Sequence, residues 1–304
     1  MADFPTSSNV QRRTFLRLAT GAALTAGAAA LPATPASAAA AGETPKLSGE
    51  ISRLSNQVSA VGKKLYDNIE VSINGDRARI FVPQIVKPKQ AAPVGVVWFY
   101  HGSGSDSEAM NHGFKWNAEY VVDQGSVGIC QTAGGTLYTN PTAQKIQRNG
   151  YTYMSGLFDI AVNYLRATSG GGALACGVYA SKLIPKINGL YMVNGLYDTR
   201  EAYNTNARDT IGPPFLYSTT AIDANNPARA TASYWRGANV RVVVSDDAHP
   251  DTLIPPKKHG LVLVNKIAST AKEASVRYHT LGHTTPDWAT TDCMAAFRRW
   301  QLAL

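Results

Sequence analysis

The stretch from 160 to 175, Ile160-Ala-Val-Asn-Tyr-Leu-Arg-Ala167-Thr-Ser169-Gly-Gly-Gly172-Ala-Leu-Ala175, decides how the rest of the chain is read. Its first eight residues are short, mostly apolar and bounded by turn-formers, the pattern of a strand covered on both faces. A serine at the strand end then enters an apolar helical segment through three glycines. Ala167 and Gly171, two residues before and two after Ser169, are small enough for a sharp strand-to-helix turn. Taken alone, the same residues would also suit a flexible linker or a helix N-cap serine. A phosphate-binding loop fits less well, because no Lys-Ser/Thr pair follows and no G-x-G-x-x-G opens at the first strand.

Working outward, further short apolar runs occupy 94–100, 128–132, 190–194, 240–245 and 276–281, and longer, partly amphipathic segments occupy 107–124, 141–157, 170–183, 258–272 and 285–304. The alternation predicts an α/β fold with a mostly parallel central sheet and helices on both faces. Upstream, 68–82 alternates around Asn74-Gly75-Asp76, a hairpin turn, which places antiparallel strands at the N-terminal edge of that sheet. Residues 39–60 read as a polar lead-in and 61–304 as one domain. The polar segment 199–232, rich in Asn, Thr and Pro and without a period, reads as an excursion over one end of the sheet. In open parallel sheets the end at the strand C-termini is where ligands bind.

The residues with chemistry to offer cluster at those ends. The strand 94–100 runs into His101-Gly102-Ser103-Gly104-Ser105, where glycines let the backbone approach another loop, although a plain βα turn has the same composition. After 240–245 comes Asp246-Asp247-Ala-His249-Pro-Asp251-Thr-Leu-Ile-Pro255, and after 276–281 comes Gly282-His283-Thr284. His279 lies inside a strand and reads as packed or solvent-facing, His249 and His259 as surface residues, and His112 as a residue that could line a cleft.

Together, Tyr100-His101-Gly102-Ser103-Gly104, Ala167-Thr-Ser169-Gly-Gly171, Asp251-Thr-Leu-Ile-Pro255 and Gly282-His283 resemble the α/β-hydrolase superfamily, in its order, over roughly 64–304. The departure is Ala167 where the G-x-S-x-G motif has its first glycine. The resemblance implies Ser169 as nucleophile, His283 as its base and Asp251 as the acid that orients the base, with Asp247 and Asp198 as alternative acids. It implies an oxyanion hole from the backbone N–H of Gly170 and of Gly102 or Ser103. The expected activity is carboxylic-ester hydrolysis through an acyl-enzyme, with no metal and no cofactor, on a small-molecule or polymeric ester. Trp116 and Tyr138 are candidates for a substrate pocket. Amide hydrolysis and acyl transfer use the same three residues. The rivals from other classes are a catalytically silent binding protein on the same scaffold, and a hydrolase in which Asp246-Asp247 bind a metal.

The first 38 residues have a separate grammar. Arg12-Arg13-Thr-Phe15-Leu16 precedes an Ala/Gly/Leu run to Leu31, then Pro32 and Ala36-Ser37-Ala38. This resembles a twin-arginine signal peptide, with Gln11 where Ser or Thr is usual, and implies the twin-arginine translocation machinery as a partner and a secreted, extracellular product. The apolar run, about 14 residues, is shorter than the roughly 20 that span a bilayer, so no stable membrane anchor is expected. Without this segment's three Arg and one Asp, 26 of the 29 basic and 20 of the 21 acidic residues remain, a net charge of about +6. The basic residues are dispersed and not interleaved with aromatics, which argues against nucleic acid. Three cysteines, Cys130, Cys176 and Cys293, are too few and too widely spaced for a disulfide scaffold, and Cys130 and Cys176 read as core.

Overall fold

The computed structural model describes residues 42–302; the expected signal peptide at 1–38 lies outside the described residues. Among the described residues, nine strands form one sheet: β1 (Glu50–Val58), β2 (Leu65–Ile73), β3 (Asp76–Pro83), β4 (Val94–Tyr100), β5 (Val127–Gln131), β6 (Ile160–Thr168), β7 (Ile187–Val193), β8 (Asn239–Ser245) and β9 (Glu273–His279). Their order is β1-β2-β3-β5-β4-β6-β7-β8-β9. From β1 to β5 neighbours pair antiparallel, and from β5 through β9 every pair is parallel. The expected hairpin turns at Asn74 (φ 51°) and Gly75 (φ 89°), two successive left-handed positions as a type I′ turn requires.

The helices among the described residues are α1 (Lys115–Asp123), α2 (Ala133–Thr136), α3 (Pro141–Leu157), α4 (Gly171–Ala180), α5 (Thr199–Thr205), α6 (Arg208–Ile211), α7 (Thr219–Ala224), α8 (Gly260–Ile267) and α9 (Ala289–Leu302). Alternate residues of each parallel strand enter opposite layers. Val96, Trp98 and Tyr100 belong to the layer that also holds α3, α4 and α8, whereas Val97 and Phe99 belong to the layer that holds α1 and α9. That two-sided burial is why these strands read as continuous apolar runs. Each fully buried Val, Leu, Ile or Phe in these layers stabilises the fold by about 1.5–3 kcal/mol against exposure. Cys130, Cys176 and Cys293 are free thiols buried in the two layers.

Two segments hold more regular structure than their composition suggested. The lead-in at 39–60 contains β1, which pairs with β2 in a register broken by bulges near Ser52 and Leu54. Its burial is shallow, so the period-2 signal never becomes strong. The excursion at 199–232 carries α5, α6, α7 and short 3₁₀ turns, which enclose a small core of Tyr203, Ile211, Phe215 and Ile222 with Leu196. Segments of four to seven residues are too short to show a helical period. Among the described residues, no helix is long and apolar enough to cross a membrane.

Candidate active site

Ser169 sits on the turn between β6 and α4 with φ 49°, a left-handed conformation that a serine adopts only where the surroundings enforce it. They do so here through the backbone: Ser169 N–H donates to Val193 O (3.2 Å), and Ser169 O accepts from Gly172 N–H (3.0 Å) and Leu196 N–H (2.9 Å). Close approach explains the small neighbours. A Cβ on Gly171 would stand 2.4 Å from the carbonyl oxygens of both Tyr100 and His101, so only glycine fits there. The turn lifts the hydroxyl above the C-terminal edge of the sheet, leaving Ser169 half-buried.

There the hydroxyl meets His283. The Nε2 of His283 lies 3.0 Å from Ser169 Oγ and its Nδ1 lies 2.7 Å from Asp251 Oδ2. A carboxylate only accepts, so Nδ1 carries the proton and Nε2 presents its lone pair to the serine O–H. Asp251 has no exposed side-chain surface. Burial works to raise its pKa, but the hydrogen bond from His283 and the N–H groups of Ile254 and Leu253 outweigh it, and the carboxyl lies below its ordinary value. Asp251 therefore stays charged and fixed at neutral pH.

The alternative acids are elsewhere. Asp247 is 80% exposed and pairs with Lys257 at 2.9 Å. Asp198 caps α5, accepting from Arg200 N–H and Glu201 N–H at 3.0 Å each. Asp246 turns back to His249 at 2.9 Å, so the two adjacent aspartates face different partners.

The His101-Gly102-Ser103 loop leans over the same serine. A Cβ on Gly102 would come 3.3 Å from Ser169 Cβ, and one on Gly170 would come 3.0 Å from Ser103 N. Among the described residues the amide N–H groups of Gly170, Gly102 and Ser103 donate no hydrogen bond, so unspent donors from both loops lie beside the serine. Two features brace this loop. Tyr138 O–H donates to Ser103 Oγ at 3.0 Å, and the buried ring of His101 faces the carbonyl oxygens of Gly102 (2.8 Å) and Thr132 (2.7 Å).

Other sequence expectations divide. His112 lines a cavity of about 320 Å³ that also includes Gly102 and Thr168. Trp116 does not line it and is 55% exposed, and Tyr138 is a buried brace. A larger hollow of about 500 Å³, near Gln144, Asn225 and Tyr234, contains none of Ser169, Asp251 and His283. His279 is buried, with Nε2 3.0 Å from Asn194 Oδ1. His259 is a correction: it is 1% exposed, accepting at Nδ1 from Asp198 N–H (3.2 Å), and burial pushes its pKa down to about 4.

No protein-family model and no curated protein matches the sequence. Solved structures do match in shape. An acetyl xylan esterase from Paenibacillus sp. R4 superposes with a TM-score of 0.57 at 13% identity, over 82% of this chain and 88% of that one. An S-formylglutathione hydrolase from Agrobacterium tumefaciens gives 0.60 at 12%, over 83% and 99%. The fold is that of the α/β-hydrolases. A bifunctional GH43-CE protein of Bacteroides eggerthii gives 0.57 at 13%, over 82% of this chain, which spans only 38% of that longer one. At such identities the likeness is one of architecture. Within the α/β-hydrolase frame, the turn after β6 and the loops after β4, β8 and β9 converge at one edge of the sheet.

One contributor was missed in the sequence. Asn194, which follows β7 in a left-handed conformation (φ 45°), donates from Nδ2 to Gly282 O (3.3 Å) and Thr284 O (3.2 Å). The only local signal was an Asn at a strand end, a residue type that tolerates that conformation.

Proposed function

We propose that this protein is a secreted serine hydrolase that cleaves carboxylic esters through an acyl-enzyme. The observation that carries the reading is the unbroken hydrogen-bonded relay from Ser169 Oγ through His283 to buried Asp251. As Ser169 Oγ bonds to the ester carbonyl carbon, its proton passes to His283 Nε2, and Asp251 stabilises the imidazolium. The carbonyl oxygen becomes an oxyanion against the N–H groups of Gly170 and of Gly102 or Ser103; one such donor typically lowers the barrier by about 3 kcal/mol. The C–O bond to the alcohol then breaks as His283 returns the proton to the leaving oxygen. Water, deprotonated by the same imidazole, releases the acid and restores Ser169.

The side chain of His283 is 27% exposed, which lets solvent reach the acyl-enzyme and favours hydrolysis over transfer to another alcohol. Export through the twin-arginine route belongs to the same proposal and rests on Arg12-Arg13 and the small-residue run that follows. The test is turnover of p-nitrophenyl acetate, butyrate and octanoate by the purified protein. The reading expects saturable hydrolysis of at least one ester and loss of about a thousandfold or more in kcat for Ser169→Ala. Equal rates in the two proteins would refute it.

A further inference from the structure

We propose that Arg166 makes the cavity beside Ser169 an anion-recognising subsite, so that the preferred esters carry a carboxylate a short distance from the scissile bond. The proposal rests on the ester-hydrolase reading and names its substrate class.

Arg166 is an internal residue of β6, 1% exposed, in the layer where a strand ordinarily carries an apolar side chain. Its Nη1 donates to the carbonyl of Ala167, while Nε is buried without a hydrogen-bond partner. No carboxylate among the described residues lies within ion-pair distance of it. The guanidinium is held between two aromatic faces, 5.4 Å from the Phe114 centroid and 5.3 Å from that of Tyr191. Those rings fix its orientation but supply no full negative charge. The neighbouring Cys293 thiol, pushed up to about 12 by burial, is neutral at ordinary pH. A guanidinium cannot shed its proton to escape burial, so it stays charged and uncompensated. A neutral side chain of similar bulk would fill the layer without that cost.

What the charge faces gives it a use. Arg166 forms part of the wall of the 320 Å³ cavity together with His101, Gly102, Phe114 and Thr168. Thr168 precedes Ser169 in the chain and Gly102 lies against it in space. At about 3.3 Å per strand residue, Arg166 starts roughly 10 Å from the nucleophile, and its side chain covers part of that distance. Two acidic residues share the rim and are already engaged: Glu108 with Arg79 and Asn111, and Asp106 with the N–H of Glu108. A rigid guanidinium fork on an otherwise largely apolar wall suits a planar carboxylate carried on a short spacer.

The carboxylate can belong to the acyl or to the alcohol half of the ester, and two substrate pairs separate these sources. One pair is p-nitrophenyl hydrogen glutarate and its methyl ester; the other is 4-acetoxybenzoate and its methyl ester. Each kcat/KM is divided by the uncatalysed hydroxide rate of that substrate. The expected result is an anionic preference of about tenfold or more in one pair at low ionic strength, weakening with salt. Arg166→Met should bring that ratio near one, with Arg166→Lys between the two. Wild-type protein that prefers the neutral member, or neither, in both pairs overturns the subsite whether or not the variants fold. If it hydrolyses neutral esters without preference, only the subsite is lost. If it hydrolyses nothing and Ser169 resists a fluorophosphonate, the ester-hydrolase reading falls and takes the subsite with it.

Discussion

Asn194 grips the chain on both sides of His283, its Nδ2 lying 3.3 Å from the carbonyl oxygen of Gly282 and 3.2 Å from that of Thr284. Its Oδ1 accepts from His279 Nε2 at 3.0 Å, and His279 Nδ1 in turn accepts from Leu281 N–H at 3.1 Å. One amide thus ties the end of β7 to the loop after β9 and sets the height of the imidazole over Ser169. Asn194→Leu should lower kcat by about 10- to 100-fold with little change in KM, because a displacement near 1 Å at the base suffices for that loss. Steady-state kinetics on the folded variant check this; a purely structural role would lower the melting temperature and leave kcat as it was.

Asp251 is set apart from its neighbours by burial and by its bond to His283 Nδ1. Asp251→Asn should cut kcat by about 10³- to 10⁴-fold, since the amide no longer selects the Nδ1–H tautomer or stabilises the imidazolium. Asp247→Asn, at an exposed pair with Lys257, should change kcat/KM by less than about twofold. The same p-nitrophenyl assay reads both variants.

The parallel strands were legible in the sequence because burial on two faces leaves continuous apolar runs, and Ser169, Asp251 and His283 stood out as candidates because each follows such a run in a short local motif. What it hid was non-local or shallow. Asn194 contacts partners 88 and 90 residues away. His259 is buried by an excursion whose helices are too short to announce themselves, and its partner Asp198 is 61 residues distant. β1 is barely covered, so its alternation is diluted.

Gly171 lies where a methyl group would meet two carbonyl oxygens at 2.4 Å, whereas a Cβ on Gly156, near the end of α3, meets nothing within 4 Å. Gly171→Ala should destabilise by several kcal/mol or abolish soluble expression. Gly156→Ala should stabilise by about 0.5–1 kcal/mol through the entropy of the unfolded chain. Urea unfolding of the two variants beside the wild type measures both effects.

The depressed His259 pKa of about 4 makes stability depend on acidity. The folded state keeps the ring neutral, while the unfolded chain takes up a proton near its ordinary value of 6.5. This contribution is therefore complete above about pH 6.5 and is lost as pH falls toward 4. Its full size is on the order of 3 kcal/mol, of which about 2 kcal/mol is gone by pH 5. Thermal melts should show a lower midpoint at pH 5 than at 7.5. His259→Gln, which keeps an acceptor for Asp198 N–H, should reduce that difference.

Whether Ser169 is the nucleophile is read out by peptide mass spectrometry of the wild-type protein after reaction with a fluorophosphonate. A single stoichiometric adduct should form on the peptide containing Ser169, with loss of esterase activity in step with labelling and no adduct in His283→Ala. A folded protein that remains unlabelled, or one labelled stoichiometrically at a different serine, would contradict that role.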